Sequence, residues 1–344
     1  MKSISPETRQ WLIWCHQGQP REVVLGAMET VARMATYSPF EAPVLVAHCN
    51  RNGGECVGYA IACEGAIGVL GGVRYQPKDS SLSSQSPSEA PPSDKYDKYN
   101  AETEALVLAE DTWDAMGEVV AQLCEQAFCK GVELVQAILP IDRDGWVDTD
   151  LSMAYELGGL QRVATLNQME CEEAQLWCRD FPPASEVLPL RFEPFDAMPW
   201  SEWCELVEQT YRDTLDVPEL NGIRSIANTL KGYAAGGYGY GQGDLHRPWW
   251  SAWLDGKPVG CLLLTPLSES SCELTYLGLV PEARGHRYSP EIMDFIGRWM
   301  VAENKHRVVL AVDSRNAPAI HLYRGYGFRE MQSLQAWIAI PRKG

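Results

Sequence analysis

Apolar side chains recur at Trp203, Leu206, Val207 and Tyr211, a spacing that puts them on one face of a helix over 200–214. A short strand at Pro189–Phe192 precedes it, and a second helix is predicted over Ile223–Tyr233. Gly236 to Gly243 holds too many glycines for a regular element and is predicted to be a loop. Trp250–Leu254 and Val259–Thr265 are apolar runs joined through Asp255-Gly256, a strong hairpin signal. Glu273–Val280 makes a third strand. Ser289-Pro290 has the form of a helix start, with the helix running to about Ala302. Arg307–Val312 then makes a buried strand, Asn316–Tyr326 a short helix and Leu334–Ile340 a last strand. The order predicts an α/β or α+β fold, a mixed central sheet flanked by helices.

The N-terminal half repeats part of this order. Val44–His48 and Cys56–Ala62 flank Asn52-Gly53-Gly54, a second hairpin signal. Ile67–Tyr75 is a third strand, Asp111–Lys130 a helix and Val132–Leu139 a strand. Tyr155 and Gly159 fall on Tyr323 and Gly327 at a constant offset, and Thr165-Leu166 falls on Ser333-Leu334 at the same offset. These echoes predict an internal duplication. The polar, proline-bearing stretch at 180–185 is the natural linker, which gives one domain over 1–180 and another over 186–344. Residues 76–103, rich in Ser, Pro, Lys and Asp, are too polar to fold alone and are expected as a mobile insertion in the first domain.

Composition narrows the class. With 344 residues the chain has room for two cores. A formal net charge of −17 argues against a nucleic-acid partner, which needs a basic footprint, and mildly favours a cationic substrate. No apolar run is long enough for a membrane span, and the N-terminus lacks the apolar stretch of a secretory signal. Eleven cysteines, odd in number and without a Cys-x-x-Cys pair, read as reduced thiols in a cytoplasm and not as a disulfide framework. Cys124 and Cys129 have no nearby histidine pair, and no metal site is expected.

The chemistry concentrates in two segments. In Leu277-Gly278-Leu279-Val280-Pro281-Glu282-Ala283-Arg284-Gly285-His286-Arg287-Tyr288-Ser289-Pro290 a strand ends, a turn follows and a helix begins. A helix N-terminus presents unpaired N–H groups and partial positive charge, and Arg284, His286 and Arg287 add cationic groups, so the turn suits a pyrophosphate. The bland reading is a strand–helix connection with exposed arginines. The second segment, Asp313-Ser314-Arg315-Asn316-Ala317-Pro318-Ala319-Ile320-His321-Leu322-Tyr323-Arg324-Gly325-Tyr326-Gly327-Phe328, resembles the Asn-x-x-Ala-x-x-x-Tyr-x-x-x-Gly-Phe signature of the GNAT N-acetyltransferase superfamily. Val-Pro-Glu-Ala-Arg-Gly ahead of the helix resembles that family's acyl-CoA loop. The resemblance covers 190–341 well and 40–171 in outline. The whole looks like a tandem GNAT protein, an architecture also seen in mycothiol synthase.

The resemblance implies an N-acetyltransferase that moves an acetyl group from acetyl-CoA to a small amine or peptide acceptor, acting as a monomer or weak dimer. It implies that the pantetheine arm pairs with Leu277, Gly278, Leu279 and Val280, that the pyrophosphate takes N–H groups of Arg284, Gly285, His286, Arg287, Tyr288 and Ser289, and that Asn316 helps hold the cofactor. Tyr323 would protonate the leaving thiolate, and the Leu279 N–H would face the carbonyl oxygen. The family's loop usually has small residues where Arg287 and Ser289 stand. Glu273 is the candidate base, with a solvated edge carboxylate as an equal reading; period two would place it with Thr275, Leu277 and Leu279. Tyr276 comes next and His321 reads as surface. Asp216, Glu219 and Asn221 could hold an ammonium group or simply form a turn. Trp249, Trp250 and Trp253 read as core or sheet surface. The first domain lacks the Arg-x-x-Gly loop, so it is expected to support the second and wall the acceptor site, with Tyr155 as packing. The alternatives are a non-catalytic acyl-CoA sensor and transfer of a different acyl group.

Overall fold

The computed structural model describes residues 31, 43–51, 54–63, 66–77, 95–172, 190–235 and 247–341, apart from the side chains of 51, 77 and 95–111. The expected linker at 180–185, the glycine-rich stretch and residues 78–94 of the insertion lie outside them. The chain divides into two compact units. The first comprises Met1–Leu139, Trp146–Arg162 and Trp337–Gly344, the second Pro140–Gly145 and Val163–Ala336.

In the first unit β1 (Val44–Arg51), β2 (Gly54–Cys63) and β3 (Ile67–Pro77) form an antiparallel meander. Helix α1 (Lys95–Cys129) follows, then β4 (Leu134–Ile141) and α2 (Thr149–Leu157). β4 pairs with β3 in parallel, which requires a crossover, and α1 supplies it. Ala115, Met116, Val119, Val120, Leu123 and Ala127 recur at helical spacing along α1 and are buried. The helix begins at Lys95, so 95–103 are helical and not part of an open insertion. The run from Ala101 to Glu110 is made of good helix formers, mostly Ala, Glu and Leu, which extends α1 upstream of its apolar face.

The second unit contains β5 (Gln161–Cys171), β6 (Arg191–Pro194), α3 (Trp200–Tyr211), α4 (Ile226–Ala235), β7 (Trp249–Leu254), β8 (Lys257–Pro266) and β9 (Ser271–Leu279). It continues with α5 (Tyr288–Ala302), β10 (Arg307–Asp313), α6 (Ala317–Gly325) and β11 (Arg329–Ala339). The strand order is β6-β7-β8-β9-β10-β5-β11. β6 to β9 are antiparallel, β10 runs parallel to β9, and β5 runs antiparallel to β10. The fold is mixed α/β. Trp203, Leu206, Val207 and Thr210 face the sheet from α3, and Ile292, Met293, Ile296 and Met300 face it from α5. Trp249 packs against Phe195 and Trp203, while Trp250 meets Phe295 and Trp299 edge-on.

Two placements differ from a cut at 180–186. β5 lies upstream of that stretch, yet residues from Val163 on belong to the second unit, paired with β10 from Leu166↔Asp313 to Cys171↔Val308. Its mixed polar sequence hides an interior strand. Trp337 and Ala339 belong to the first unit's core with Tyr155. The duplication itself is plain in the elements. Thr149–Leu157 and Ala317–Gly325 differ by 168 in number, as do Gln161–Cys171 and Arg329–Ala339. In each unit the crossover strand keeps parallel register for only three residue pairs, Ile67–Val69 with Leu134–Gln136 and Ser271–Glu273 with Arg307–Val309.

Candidate functional site

Beyond Glu273 and Val309, β9 and β10 no longer pair, and a cavity of about 760 Å³ opens there. That volume lies in the roughly 300–1,000 Å³ range of small-molecule sites. Its lining includes Leu274 to Leu279 of β9, Leu310 to Val312 of β10, the loop Asp213–Asp216 after α3, the α5 start and one face of α6.

The strand edge is arranged by its partner on the other side. The Val280 N–H donates to the Val259 carbonyl at 2.9 Å, next to the pair Gly260↔Leu279. Antiparallel pairs alternate, so the N–H groups of Leu279 and Leu277 turn away from β8 toward the gap. Strand β9 also carries a bulge: Leu263 pairs with Tyr276 and Leu264 with Leu274, leaving Thr275 extra. The bulge breaks the simple alternation expected from the sequence. Tyr276 and Gly278 face α3 at Thr210, Leu277 and Leu279 alternate to the opposite side, and Glu273 lies within electrostatic reach of Tyr233. Thr275 donates to the Thr265 hydroxyl at 2.6 Å.

The turn after β9 divides its arginines between two tasks. Arg284 donates from Nε to the Leu279 carbonyl at 3.0 Å and from Nη1 to Asp213 at 3.0 Å. Its Nη2 reaches the carbonyls of Thr210 and Arg212 at 2.9 and 2.7 Å. These carbonyls lie at and beyond the end of α3, where helical partners run out and a cation is favourable. The Arg284 charge is therefore directed into the protein as a clasp, in contrast to the free cation expected from sequence. Arg212 pairs with Glu282 at 3.1 Å. Arg287, by contrast, lines the cavity and makes no ion pair among the described residues. It adopts φ 64°, ψ 28° as the N-cap of α5, where glycine would be unstrained. Helix α5 thus starts at Tyr288, ahead of the expected Ser289-Pro290 start. No side chain caps its first-turn N–H groups. Pro290 sits within that first turn, where a missing N–H costs no hydrogen bond. Gly285 has φ 79° with open space where a Cβ would be. His286 is exposed, stacks on Tyr288 and does not line the cavity.

Tyr323 is 8% exposed, packs against Phe328 with ring centroids 5.5 Å apart and lines the cavity. Burial raises its pKa, and the nearby Asp216 carboxylate adds to the rise. Asn316 also lines the cavity and caps α6, its Oδ1 accepting from the Ala319 N–H at 3.3 Å, which leaves its amide nitrogen as a donor. His321 is exposed at the cavity lining. Of the residues expected to serve the site, the cavity brings together Leu277, Gly278, Leu279, Arg284, Gly285, Arg287, Tyr288, Ser289, Asn316 and Tyr323. It does not include Glu273, Val280 or His286. Burial raises the Glu273 pKa. Tyr276 also lines the cavity; its hydroxyl lies 2.9 Å from Thr210 Oγ1, which donates to Val207 O at 2.7 Å, and its ring stacks on Tyr211.

The loop after α3 is more organised than its sequence suggests. Asp216 Oδ1 accepts the Asp313 N–H at 2.8 Å, and the Val217 N–H donates to Asp313 Oδ2 at 3.1 Å. Asp313, fully buried, also accepts from Arg315, which grips Glu219 with two hydrogen bonds of 2.6 and 2.8 Å. Asn221 donates to the Tyr211 carbonyl at 3.2 Å. Glu219 and Asn221 are thus committed to the loop, and of the three acceptor-site candidates Asp216 alone lines the cavity. Only the Asp-x-Arg spacing of 313 and 315 signalled this network in the sequence, and nothing local tied it to Asp216.

Residues 207–328 match the model of the acetyltransferase (GNAT) family. The chain therefore carries a GNAT acetyltransferase domain, and the cavity lies within it. Among solved structures, the chain is similar to a tandem GNAT protein from the clavulanic acid biosynthesis pathway. The two share 13% identity over 92% of this chain and 96% of that one, with a TM-score of 0.47. It is also similar to a GCN5-related N-acetyltransferase from Kribbella flavida, at 11% identity over 95% and 97% of the two chains and a TM-score of 0.44. A GCN5-related N-acetyltransferase from Sphaerobacter thermophilus shares 14% identity over 84% and 78%, also with a TM-score of 0.44. No curated protein matches the chain. No helix of the described residues is long and apolar enough to cross a membrane.

Proposed function

We propose that the second unit binds acyl-CoA, acetyl-CoA foremost, and transfers the acyl group to the amine of a small-molecule or peptide acceptor. The observation that carries this is one cavity lined by an uncapped helix N-terminus with Arg287, the unpaired edge of β9 and Tyr323. The fit is chemical. The first-turn N–H groups of α5 and the Arg287 guanidinium would hold phosphate. The backbone of Leu277 and Leu279 would pair with an amide-bearing arm, and Asn316 would add a donor. Acyl-CoA supplies the activated thioester. Tyr323 keeps its proton at neutral pH because burial and Asp216 disfavour the phenolate, so it donates to the departing sulfur. The Leu279 N–H donates to the carbonyl oxygen as charge builds there. The first unit is assigned a supporting role. The nine described cysteines are all free thiols, which fits a protein working in a reducing cytoplasm.

Calorimetry with acetyl-CoA, combined with thiol release over a panel of amines, tests the reading on the wild type and Tyr323→Phe. Cofactor binding with turnover that collapses in the variant supports it. Binding without turnover on any amine identifies an acyl-CoA sensor instead. Absence of binding to any acyl-CoA would sink both.

A further inference from the structure

We infer that Asp216 is the group that receives the acceptor, binding it as a primary ammonium and taking a proton from it. This rests on the acyl-transfer reading and adds the charge class of the substrate and the identity of the base. Two carboxylates line the cavity, Asp213 and Asp216. Asp213 is exposed, and its carbonyl belongs to the Arg284 clasp. Asp216 is half-buried and close enough to Tyr323, Tyr276 and Tyr233 to raise the pKa of each.

The position of Asp216 is fixed from both sides. Its N–H donates to Thr214 Oγ1 at 3.1 Å, and its Oδ1 accepts from Asp313 at 2.8 Å. Oδ2 makes no hydrogen bond among the described residues. The next residue, Val217, is held at φ 41°, a conformation that a β-branched side chain resists, by its hydrogen bond to Asp313. The loop thus accepts strain while presenting one carboxylate oxygen free for a ligand.

Charge points the same way. Asp216, Asp313 and Glu219 stand together with the Arg315 guanidinium, three carboxylates to one cation in that hydrogen-bonded group, and Arg224 acts on the neighbouring Tyr233. The helix start with Arg287 makes the other part of the lining positive. A substrate pair with phosphate on one side and a cation on the other matches that polarity. Glu219 and Asp313 are saturated by Arg315 and backbone donors, and Glu273 is off the lining. Burial raises the Asp216 pKa, which suits a carboxylate that must accept a proton.

The protons balance. An ammonium nitrogen loses two protons on becoming a secondary amide. Asp216 takes the first and frees the lone pair. The second leaves nitrogen as the C–N bond forms and the C–S bond breaks, and through water it replaces the proton that Tyr323 gives to sulfur. Asp216 then returns its proton to water, so each turnover releases one.

Two readouts test the inference on the full chain. Titration with butylamine and with butan-1-ol at fixed ionic strength, without cofactor, asks whether an ammonium binds. The wild type should prefer butylamine, and Asp216→Asn should lose about tenfold or more of that preference. Asn keeps the oxygen that accepts from Asp313, so a melting curve like the wild type's is expected. Thiol release from acetyl-CoA is then compared for butylamine and for aniline, which is neutral at pH 7. Asp216→Asn should lower kcat/KM for butylamine by about 10²-fold and for aniline, which needs no prior deprotonation, at least about tenfold less, a split that a merely distorted loop would not produce. Equal butylamine binding by both proteins overturns the inference, as does a butylamine-specific loss of turnover in Glu273→Gln but not in Asp216→Asn. Ammonium binding through Asp216 without thiol release from any amine overturns the transfer reading alone.

Discussion

Tyr155 and Tyr323 occupy the same point of two repeats and face different surroundings. Each lies on the short helix before the last strand of its repeat, and burial raises the pKa of both phenols. Tyr155 is 2% exposed and closed in by Trp337, edge-on at 6.0 Å between ring centroids. In the same unit the ring of Tyr59 lies so close to β3 that a Cβ on Gly71 would meet it at 2.0 Å. Tyr323 instead borders the cavity. A perturbed pKa therefore does not separate a working phenol from a packed one; access to a reacting partner does.

Tyr323→Phe should break the comparison most visibly. It removes one hydroxyl from a ring whose packing on Phe328 is kept. Turnover of acetyl-CoA should fall about 10²- to 10⁴-fold with cofactor affinity little changed. Tyr155→Phe should leave turnover near wild type. Equal losses in the two variants would mean that both phenols act through folding.

Trp337→Ala should have the next largest effect and should act on the first unit. Trp337 is 7% exposed and belongs to that unit's core, so truncation should cost about 3–5 kcal/mol in chemical denaturation. The variant also sharpens the comparison, because it removes the ring that covers Tyr155. A gain of acyl-CoA binding assignable to the first unit by differential labelling would show that the Trp337 ring keeps the cofactor out of it.

Most elements were legible because their chemistry is local. The Asp255-Gly256 turn, the Trp203–Leu206–Val207 face and the Asn316 cap each act within a few residues, and the structure has all three. β5 was not legible. Its sequence is mixed in polarity, and its strand state comes from pairing with β10, more than a hundred residues away. The β9 bulge was hidden for the same reason, since register is a property of two strands. At the site, sequence pointed to Arg284 as a cation for phosphate, whereas the structure turns it into the end of α3. That outcome depends on where α3 stops relative to β9. Asp216 was one of three polar residues in a turn until Asp313 and Arg315 were brought against it.

Gly278→Ala should cost less than Trp337→Ala and should act on the second unit. An added Cβ would meet Thr210 Cβ at 2.7 Å and the Tyr276 hydroxyl at 2.8 Å. Both belong to a packed contact between α3 and β9, so relief requires the helix to shift. Overpacking of this kind costs about 1–3 kcal/mol. The shift would also strain the Arg284 clasp on Thr210, Arg212 and Asp213, so acetyl-CoA affinity should drop with stability. Gly285→Ala is the contrast: open space surrounds the Cβ, and the φ of 79° imposes a penalty of only about 1 kcal/mol. A larger destabilisation by Gly285→Ala would show that the turn, and not the α3 contact, limits the unit.

Glu273→Gln should have the smallest effect, and its direction is set by pH. Glu273 stands opposite Thr265 on β8 and Val309 on β10, within electrostatic reach of Tyr233, and it makes no ion pair among the described residues. Burial raises its pKa in the folded state. A raised carboxylate contributes stability that is fully present below its unfolded value, about 4.3, and that is lost as pH rises through the folded value. Ionising the group in that partly desolvated place carries a cost that glutamine does not. Glu273→Gln should therefore unfold at slightly higher denaturant than wild type at pH 7, by less than about 1 kcal/mol. The gap should close as the pH falls to about 4. A variant less stable than wild type at pH 7 would mean that the carboxylate is held there by a favourable cationic partner, and Glu273 would regain its standing beside Asp216 as a charged group of the site.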